Sequence, residues 1–198
     1  MNDYILTGKL TDREVSSLTR DIKTYTGRSY QGHVTGGGLN YNPEKRECMI
    51  YFVPAAEFPA TVNILHSTVI ENYQSIYRDI DYSHLSSIQY VKYDKGGFFK
   101  LHHDVIRSEH KLRCLTMSIN LSEPSEYDGG ELVVYHDGCE TVLDKEIGSY
   151  IIFPAFLAHE CKEVTRGTRH AIVTWTVDEP HIQKQFERHY NSINSKKQ

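Results

Sequence analysis

The sequence lacks several features that would assign it to a common class of protein. Its 198 residues include only four cysteines, widely spaced and without a CxxC pair, at positions 48, 114, 139 and 161. Neither a zinc knuckle nor a disulfide framework is predicted, and we expect free thiols. No run approaches the ~20 apolar residues of a membrane-spanning helix, and the N-terminus shows no signal-peptide pattern. We therefore expect a cytoplasmic protein without a membrane partner.

Charge and glycine spacing argue against two further classes. The formal net charge of -4 gives no general attraction to nucleic acid, whose binding depends on clustered Lys and Arg, so nucleic acid is not an expected partner. The triplet Gly36, Gly37 and Gly38 lacks the GxGxxG spacing of a dinucleotide site. It opens the segment 36–49, glycine-rich and then charged, which we interpret as a loop that closes over a substrate.

The pattern of apolar residues predicts two helices followed by many short strands. The first helix is predicted from a capping pair, Thr11 and Glu14, to Gly27, and the second over residues 59–76. Runs rich in β-branched and aromatic residues predict strands at 88–93, 112–121, 131–135, 149–153 and 168–177. Short strands with glycine-rich turns favour an α+β protein with a sandwich or a double-sheet jelly roll.

We expect one domain over residues 1–198. In that domain a helical N-terminal part occupies about 1–85, a jelly-roll core about 86–178, and a C-terminal helix about 179–190.

A candidate metal site begins with His102 and Asp104. In an extended segment over 101–105 both side chains leave one face, while His103 leaves the other. A facial metal triad needs a third ligand from elsewhere and leaves coordination positions open for small molecules. The best candidate is His159, which follows the strand 149–153 and a turn. In a chain with eleven histidines an HxD pair is by itself a weak indication of a metal site. The other residues expected near the pair therefore decide whether it binds a metal.

Arg169 lies ten residues after His159 and begins a strand in which Val173 and Trp175 share its face. A buried cation at this position would be costly unless an anion met it. The fork-shaped guanidinium is suited to bind a carboxylate through two hydrogen bonds. Without His159 and the HxD pair, a surface arginine at a strand start would be the preferred interpretation.

The second half of the chain carries these residues within an ordered set of motifs over 89–177. The set reads Tyr93-x-x-Gly96-x-x-Phe99-x-x-His102-x-Asp104, then Tyr127-Asp128-Gly129-Gly130-Glu131-Leu132, then His159, Val164-Thr165, Gly167, Arg169 and Trp175. It resembles the prolyl 4-hydroxylase type of Fe(II) and 2-oxoglutarate dependent dioxygenase.

The resemblance implies a double-stranded β-helix, or jelly roll, with N-terminal supporting helices. It implies that His102, Asp104 and His159 bind Fe(II), that Arg169 binds the far carboxylate of 2-oxoglutarate, and that Tyr93 helps to bind it. Dioxygen is the implied oxidant and ascorbate the implied reductant. The implied reaction hydroxylates a C–H bond, of a prolyl residue in a protein or peptide, with succinate and CO2 as co-products.

The chain departs from the family pattern at two positions. Arg169 stands where many members have Lys, which keeps the carboxylate partner but alters the pocket. Phe99 stands where a tyrosine is common, so one hydroxyl is missing. Nucleic-acid demethylases of the superfamily have a second arginine six residues after the first, where this chain has Trp175, and halogenating relatives lack the metal carboxylate that Asp104 provides. Both comparisons favour a hydroxylase.

For several side chains near the site the sequence allows two interpretations. On the strand 112–121 the apolar face, from Leu115 to Leu121, is expected to pack against the helices, while the polar face, with Thr116 and Ser118, either meets solvent or lines the pocket. Arg113 faces substrate, by resemblance, or is a surface charge. Trp175 either lines the pocket and contacts substrate or packs in the core, and core packing is preferred.

Two alternatives to a prolyl hydroxylase stay open. In the first, the substrate is a free amino acid or other small molecule instead of a prolyl residue. In the second, the chain is a non-catalytic jelly-roll binding module. A cupin enzyme without 2-oxoglutarate is a third class, but the cupin HxH pair is absent and Arg169 would have no purpose. The sequence does not predict the oligomeric state.

Overall fold

The computed structural model describes residues 5–23, 25, 27, 29–35, 39–73, 85–105, 107–108 and 111–178, so the C-terminal helix predicted at 179–190 lies outside the described residues. The elements before residue 85 are β1 (Leu6–Lys9), α1 (Asp12–Lys23), β2 (Ser29–Gln31), β3 (His33–Thr35), β4 (Leu39–Tyr41), β5 (Arg46–Glu47), β6 (Met49–Val53) and α2 (Pro59–Tyr73). Those after it are β7 (Ile88–Asp94), β8 (Phe98–His102), β9 (Arg107–Ser108), β10 (Lys111–Asn120), a 3₁₀ turn (Pro124–Glu126), β11 (Tyr127–Gly129), β12 (Leu132–His136), β13 (Cys139–Val142), β14 (Ser149–Pro154), β15 (Ala158–Cys161) and β16 (Val164–Asp178). Neither helix in the described ranges is long and apolar enough to cross a membrane.

Two antiparallel sheets form the core of the fold. The major sheet has the order β1-β14-β10-β16-β7-β6-β2, with β9 beside β10 and β11 beside β16, and the minor sheet has the order β13-β12-β15-β8-β5. Strands adjacent in space are far apart in sequence, as in β1 beside β14, which is typical of a jelly roll. The expected α+β jelly roll with N-terminal helices is therefore confirmed.

The helices pack on the outer face of the major sheet. Successive side chains of its strands point alternately to the helices and to the space between the two sheets, and both sides are apolar. On β10, Leu115, Met117 and Ile119 pack in one cluster with Leu18 of α1 and Leu65 of α2. This confirms the prediction that the apolar face of this strand meets the helices. A second cluster lies between the sheets and joins side chains of β12 and β14.

The capping pair predicted for the first helix is present. The Thr11 hydroxyl accepts a hydrogen bond from the Glu14 backbone N–H at 3.3 Å, and the Glu14 carboxylate accepts one from the Thr11 backbone N–H at 2.8 Å. Each side chain thus satisfies a donor that the first helical turn leaves without a partner. The structure describes the helix as far as Lys23, and Tyr25 and Gly27 are not helical, so the helix ends before the predicted stop at Gly27.

The described residues before 85 also contribute the six strands β1 to β6 beside the two helices. These strands have two to five residues, too few for an alternating pattern to be recognised. The segment 36–49 is correspondingly not an unstructured loop. Residues 36–38 lie outside the described residues, but β4, β5 and the start of β6 follow them.

The cysteines agree with the prediction of free thiols. All four are unbridged, and three of them, Cys48, Cys114 and Cys161, are buried. Cys48 and Cys161 belong to an apolar cluster with Tyr93. The three buried cysteines thus pack as small side chains of the core.

Gly167 is required by the fold, and its substitution should destabilise the protein. Its φ is +70°, and an added Cβ would overlap the carbonyl oxygen of Glu126, next to the residue that pairs with Gly167. Gly138 also has a positive φ, +79°, but a Cβ there meets open space. We expect Gly138→Ala to cost about 1 kcal/mol of unfolding free energy, for the left-handed backbone alone, and Gly167→Ala a further 1–3 kcal/mol or so, for the overlap.

Urea denaturation of both variants measures this difference. Equal losses at the two positions would contradict the close approach of Glu126 to Gly167.

Candidate metal centre

The structure brings His102, Asp104 and His159 together. One ligand atom from each of the three lies within 4.8 Å of the others. His102 Nε2 is 3.6 Å from Asp104 Oδ1, and His159 Nε2 is 3.3 Å from Asp104 Oδ2. The approach follows from strand pairing, because His102 at the end of β8 is the direct partner of His159 in β15.

The strand β8 ends at His102, so Asp104 lies beyond the end of that strand. Asp104 is held beyond the strand end by its backbone N–H, which donates to the Ala155 carbonyl at 2.9 Å. His159 follows β14 and the turn at residues 155–156, as predicted, and lies within a strand of its own, β15.

Both imidazoles are oriented by backbone carbonyls. His102 Nδ1 lies 2.7 Å from the Lys100 carbonyl oxygen, and His159 Nδ1 lies 2.9 Å from the Leu157 carbonyl oxygen. Since a carbonyl only accepts, each Nδ1 must carry the proton and donate it. In the neutral imidazole the lone pair is then on Nε2, the atom that faces Asp104.

The carboxylate of Asp104 is held by two donors from the major sheet. Its Oδ2 accepts hydrogen bonds from Thr116 Oγ1 and Trp175 Nε1, both at 2.8 Å. Such bonds fix the orientation of a ligating carboxylate. The preferred interpretation of Trp175 as core packing is therefore incomplete, because its indole N–H bonds to the candidate site.

The protonation states suit a metal ligand set. Burial alone would raise the pKa of Asp104, but the two adjacent histidines hold it well below its usual range, so the carboxylate is ionised. Burial lowers the pKa of His102, which favours the neutral imidazole. Burial also acts to lower the pKa of His159, but the charge of Asp104, its hydrogen bond and the Leu157 carbonyl together outweigh burial, and the net shift is upward. A bound cation would displace that proton.

The donor set fits a divalent first-row metal. Two neutral imidazoles and one carboxylate on one side of the ion leave its other positions open, which is the arrangement of non-haem Fe(II) oxygenases. The cluster borders a cavity of about 700 Å³, so the open positions would face space for small molecules.

Arg169 and Tyr93 line the same cavity and lie opposite one another on neighbouring strands, β16 and β7. The Arg169 guanidinium carbon is 5.7 Å from the centre of the Tyr93 ring, and Nη1 donates to Cys161 Sγ at 3.8 Å. Arg169 is only 3 % exposed. Gly130 leaves room for it, since an added Cβ there would lie 3.1 Å from Arg169 Cδ.

Both side chains keep their usual protonation. Burial raises the pKa of the Tyr93 hydroxyl, so it remains a neutral donor and acceptor. Burial acts to lower the pKa of Arg169, but Cys161, Tyr127 and Tyr93 together raise it above its ordinary value. The cavity therefore contains a permanent buried cation.

The sequence left open whether the polar face of β10 and Arg113 meet solvent or line the pocket, and the structure shows that both line the cavity. Thr116 and Ser118 line it and are buried, so the polar face of β10 does not meet solvent. Arg113 lines it as well, with its guanidinium carbon 3.6 Å from the centre of the Trp175 ring. It is therefore not an ordinary surface charge.

The sequence reasoning missed Arg46. This residue is 7 % exposed, lines the cavity and places its guanidinium carbon 4.3 Å from the centre of the Phe99 ring. It belongs to the charged run 44–47, which reads as a solvated turn. No local signal reveals its burial, which results from the pairing of β5 with β8.

Comparison with known proteins supports the same interpretation of the site. Residues 88–177 match the family model described as the 2OG-Fe(II) oxygenase superfamily. A PKHD-type hydroxylase of Gluconacetobacter diazotrophicus is 40 % identical over 91 residues, which are 43 % of this chain and 40 % of that protein. A PKHD-type hydroxylase of Parvibaculum lavamentivorans is 36 % identical over 84 residues, 42 % of this chain and 38 % of that protein. The chain thus spans about two fifths of the length of these relatives.

Solved structures share the fold at low identity. A prolyl hydroxylase from Trichoplax adhaerens, in complex with a peptide fragment of the hypoxia inducible factor oxygen degradation domain, superposes with a TM-score of 0.73 at 16 % identity, over 89 % of this chain and 84 % of that one. A prolyl-4-hydroxylase from Pseudomonas putida gives a TM-score of 0.65 at 17 % identity, over 89 % and 92 %. These matches establish the fold.

The two donors to Asp104 should tune the affinity for metal. We expect Trp175→Phe and Thr116→Val each to weaken Mn(II) binding by about tenfold to a hundredfold, because each leaves Oδ2 with one donor fewer. Thr174→Val is the matched control, since this buried hydroxyl bonds to the Ser87 carbonyl outside the cavity. Calorimetric titration measures the affinities, and losses no larger than that of the control would contradict the role of the two donors.

Proposed function

We propose that this chain, a member of the 2OG-Fe(II) oxygenase superfamily through residues 88–177, is a dioxygenase that hydroxylates a C–H bond. The observation that carries the proposal is the convergence of two imidazoles and one carboxylate on one point of a cavity that also contains a buried guanidinium. We further propose that residues 1–198 act as one domain and that the protein is cytoplasmic.

In this proposal His102, Asp104 and His159 hold Fe(II), and Arg169 and Tyr93 bind the far carboxylate of 2-oxoglutarate. When bound, iron and 2-oxoglutarate supply the oxidising power: the 2-oxo acid is decarboxylated to succinate and CO2, taking one atom of O2, and the other atom enters the C–H bond. Ascorbate is the expected reductant that keeps the iron ferrous.

The protein's own contribution is position and charge. Arg169 offers a planar fork to a carboxylate, and its burial strengthens that bond because little water competes for it. Tyr93 keeps its proton and is able to donate to the same carboxylate. The hydrogen bonds to Asp104 fix the third ligand before any metal arrives, so little reorganisation accompanies binding.

The resemblance and the names of the relatives favour a prolyl residue in a protein or peptide as substrate. A free amino acid or similar small molecule is the second candidate. One specific observation favours it, namely the cationic lining of the cavity beyond Arg169.

The metal ligands are tested by a neighbouring pair of histidines. Purified protein with Fe(II), ascorbate and 2-oxoglutarate should form succinate, and His102→Ala should abolish it, because one imidazole of the triad is lost. His103→Ala is the matched control, since this ring is not in the cluster and lies 2.6 Å from the Phe156 carbonyl through Nδ1. Chromatographic assay of succinate gives the result.

If the wild-type protein binds neither Fe(II) nor 2-oxoglutarate, the proposed function is wrong and the chain is a non-catalytic binding module. Turnover of a substrate without 2-oxoglutarate would indicate a different class of metal enzyme.

The co-substrate site is tested at Arg169. We expect Arg169→Gln to weaken 2-oxoglutarate binding by about tenfold to a hundredfold, because a charge-assisted bidentate bond is removed, and Arg169→Lys to weaken it less. Arg166→Gln is the control, since that arginine is exposed and paired with Asp128. Calorimetry with the Mn(II)-loaded protein measures the affinity, and an unchanged value in Arg169→Gln would refute the assignment.

A further inference from the structure

The cavity has a cationic lining that the metal and the co-substrate do not account for. Among the described residues that line it, Asp104 is the only carboxylate, whereas five side chains are cationic: Lys45, Arg46, Lys100, Arg113 and Arg169. In the proposed function Asp104 binds the metal and Arg169 binds 2-oxoglutarate. The charges of a divalent metal and of 2-oxoglutarate cancel, so they leave the remaining positive charge in place.

Arg46 is held rigidly and close to the metal ligands. Its guanidinium carbon lies 4.3 Å from the centre of the Phe99 ring, and that ring is stacked on His102 with 3.4 Å between centres. Its Nε donates to Cys48 Sγ at 3.1 Å. A guanidinium fixed on an aromatic face loses little freedom when it binds a ligand.

Arg113 is held in an analogous way, on an aromatic ring that contacts the triad. It lies over the ring of Trp175, and the indole N–H of that residue bonds to Asp104. Burial lowers the pKa of Arg113, and the charge of Arg46 lowers it further while Asp104 opposes this. Arg46 and Arg113 line the same cavity, and an anion that contacts both guanidiniums offsets two like charges.

We propose that Arg46 and Arg113 form a second anion site, which binds a carboxylate of the substrate. The substrate is accordingly a small carboxylic acid of amino-acid size, hydroxylated with its carboxylate at this site. This inference rests on the proposed function, and it narrows the substrate class within it. Lys45 and Lys100, which are exposed, add positive potential near the cavity and favour the approach of an anion.

Distance and burial favour a small molecule over an internal residue of a peptide. The Arg46 guanidinium lies on the same Phe99 ring that is stacked on His102, so a group bound by Arg46 lies close to the metal ligands. An internal peptide residue has no backbone carboxylate to offer there. The cavity of about 700 Å³ has room for 2-oxoglutarate and one amino acid.

The chain contains a single tryptophan, Trp175, which lies under Arg113 and reports on this site directly. In the test the protein is first saturated with Mn(II) and 2-oxoglutarate in the absence of oxygen. Each proteinogenic L-amino acid, and separately its carboxamide, is then titrated into the protein while tryptophan fluorescence is measured. Calorimetry repeats the titration where the signal is small. Two peptides containing proline complete the panel, one with both ends blocked and one with a free C-terminal carboxylate.

We expect at least one free amino acid to bind about tenfold or more tightly than its carboxamide, the difference expected for a charge-assisted bond. Arg46→Gln and Arg113→Gln should each remove about that tenfold preference, Arg46→Lys should retain part of it, and Arg166→Gln should retain all of it. Affinity for 2-oxoglutarate and the thermal unfolding midpoint, measured for each variant, exclude a loss of fold.

Three outcomes would overturn the inference while leaving the oxygenase assignment intact. These are equal binding of acids and amides, tighter binding of the blocked peptide, and a loss of 2-oxoglutarate binding in Arg46→Gln comparable with that in Arg169→Gln. Preferential binding of the peptide with a free C-terminus would retain the carboxylate site but overturn the small-molecule class. Failure of the wild-type protein to bind 2-oxoglutarate would instead refute the proposed function.

Discussion

The pairing of β8 with β15 is the constraint on which the rest of the site depends. It places His102 opposite His159, and the backbone carbonyls of Lys100 and Leu157 turn the two Nε2 atoms toward Asp104. The minor sheet thus supplies both imidazoles, while the major sheet supplies the donors that hold the carboxylate. The candidate metal site lies where the two sheets of the jelly roll face one another, and its geometry is a property of their packing.

The burial of two guanidinium groups is the second constraint on the site. Arg169 and Arg46 are almost fully buried, and each contacts an aromatic ring and a thiol instead of bulk water. Burying a guanidinium costs several kcal/mol unless an anion or equivalent partners compensate. Two such guanidiniums in one cavity favour anionic ligands, which is the physical basis for the proposal that one binds 2-oxoglutarate and the other binds substrate.

Much of the fold and the site could be predicted because the signals are local. Strict alternation along β10 and the capping pair at the start of α1 identify their elements, and the HxD spacing with an arginine ten residues after His159 identifies the site. What could not be predicted depends on contacts between distant residues. The bond from Trp175 to Asp104 joins residues 71 apart, and the burial of Arg46 follows from a two-residue strand that no periodicity reveals.

The most direct test of the central claim is anomalous diffraction from crystals of the protein loaded with Mn(II) and 2-oxoglutarate without oxygen. The account predicts one metal within about 2.3 Å of His102 Nε2, His159 Nε2 and a carboxylate oxygen of Asp104, with the far carboxylate of 2-oxoglutarate on Arg169. A metal that lacks any one of these three ligands, or a 2-oxoglutarate whose far carboxylate lies away from Arg169, would contradict it.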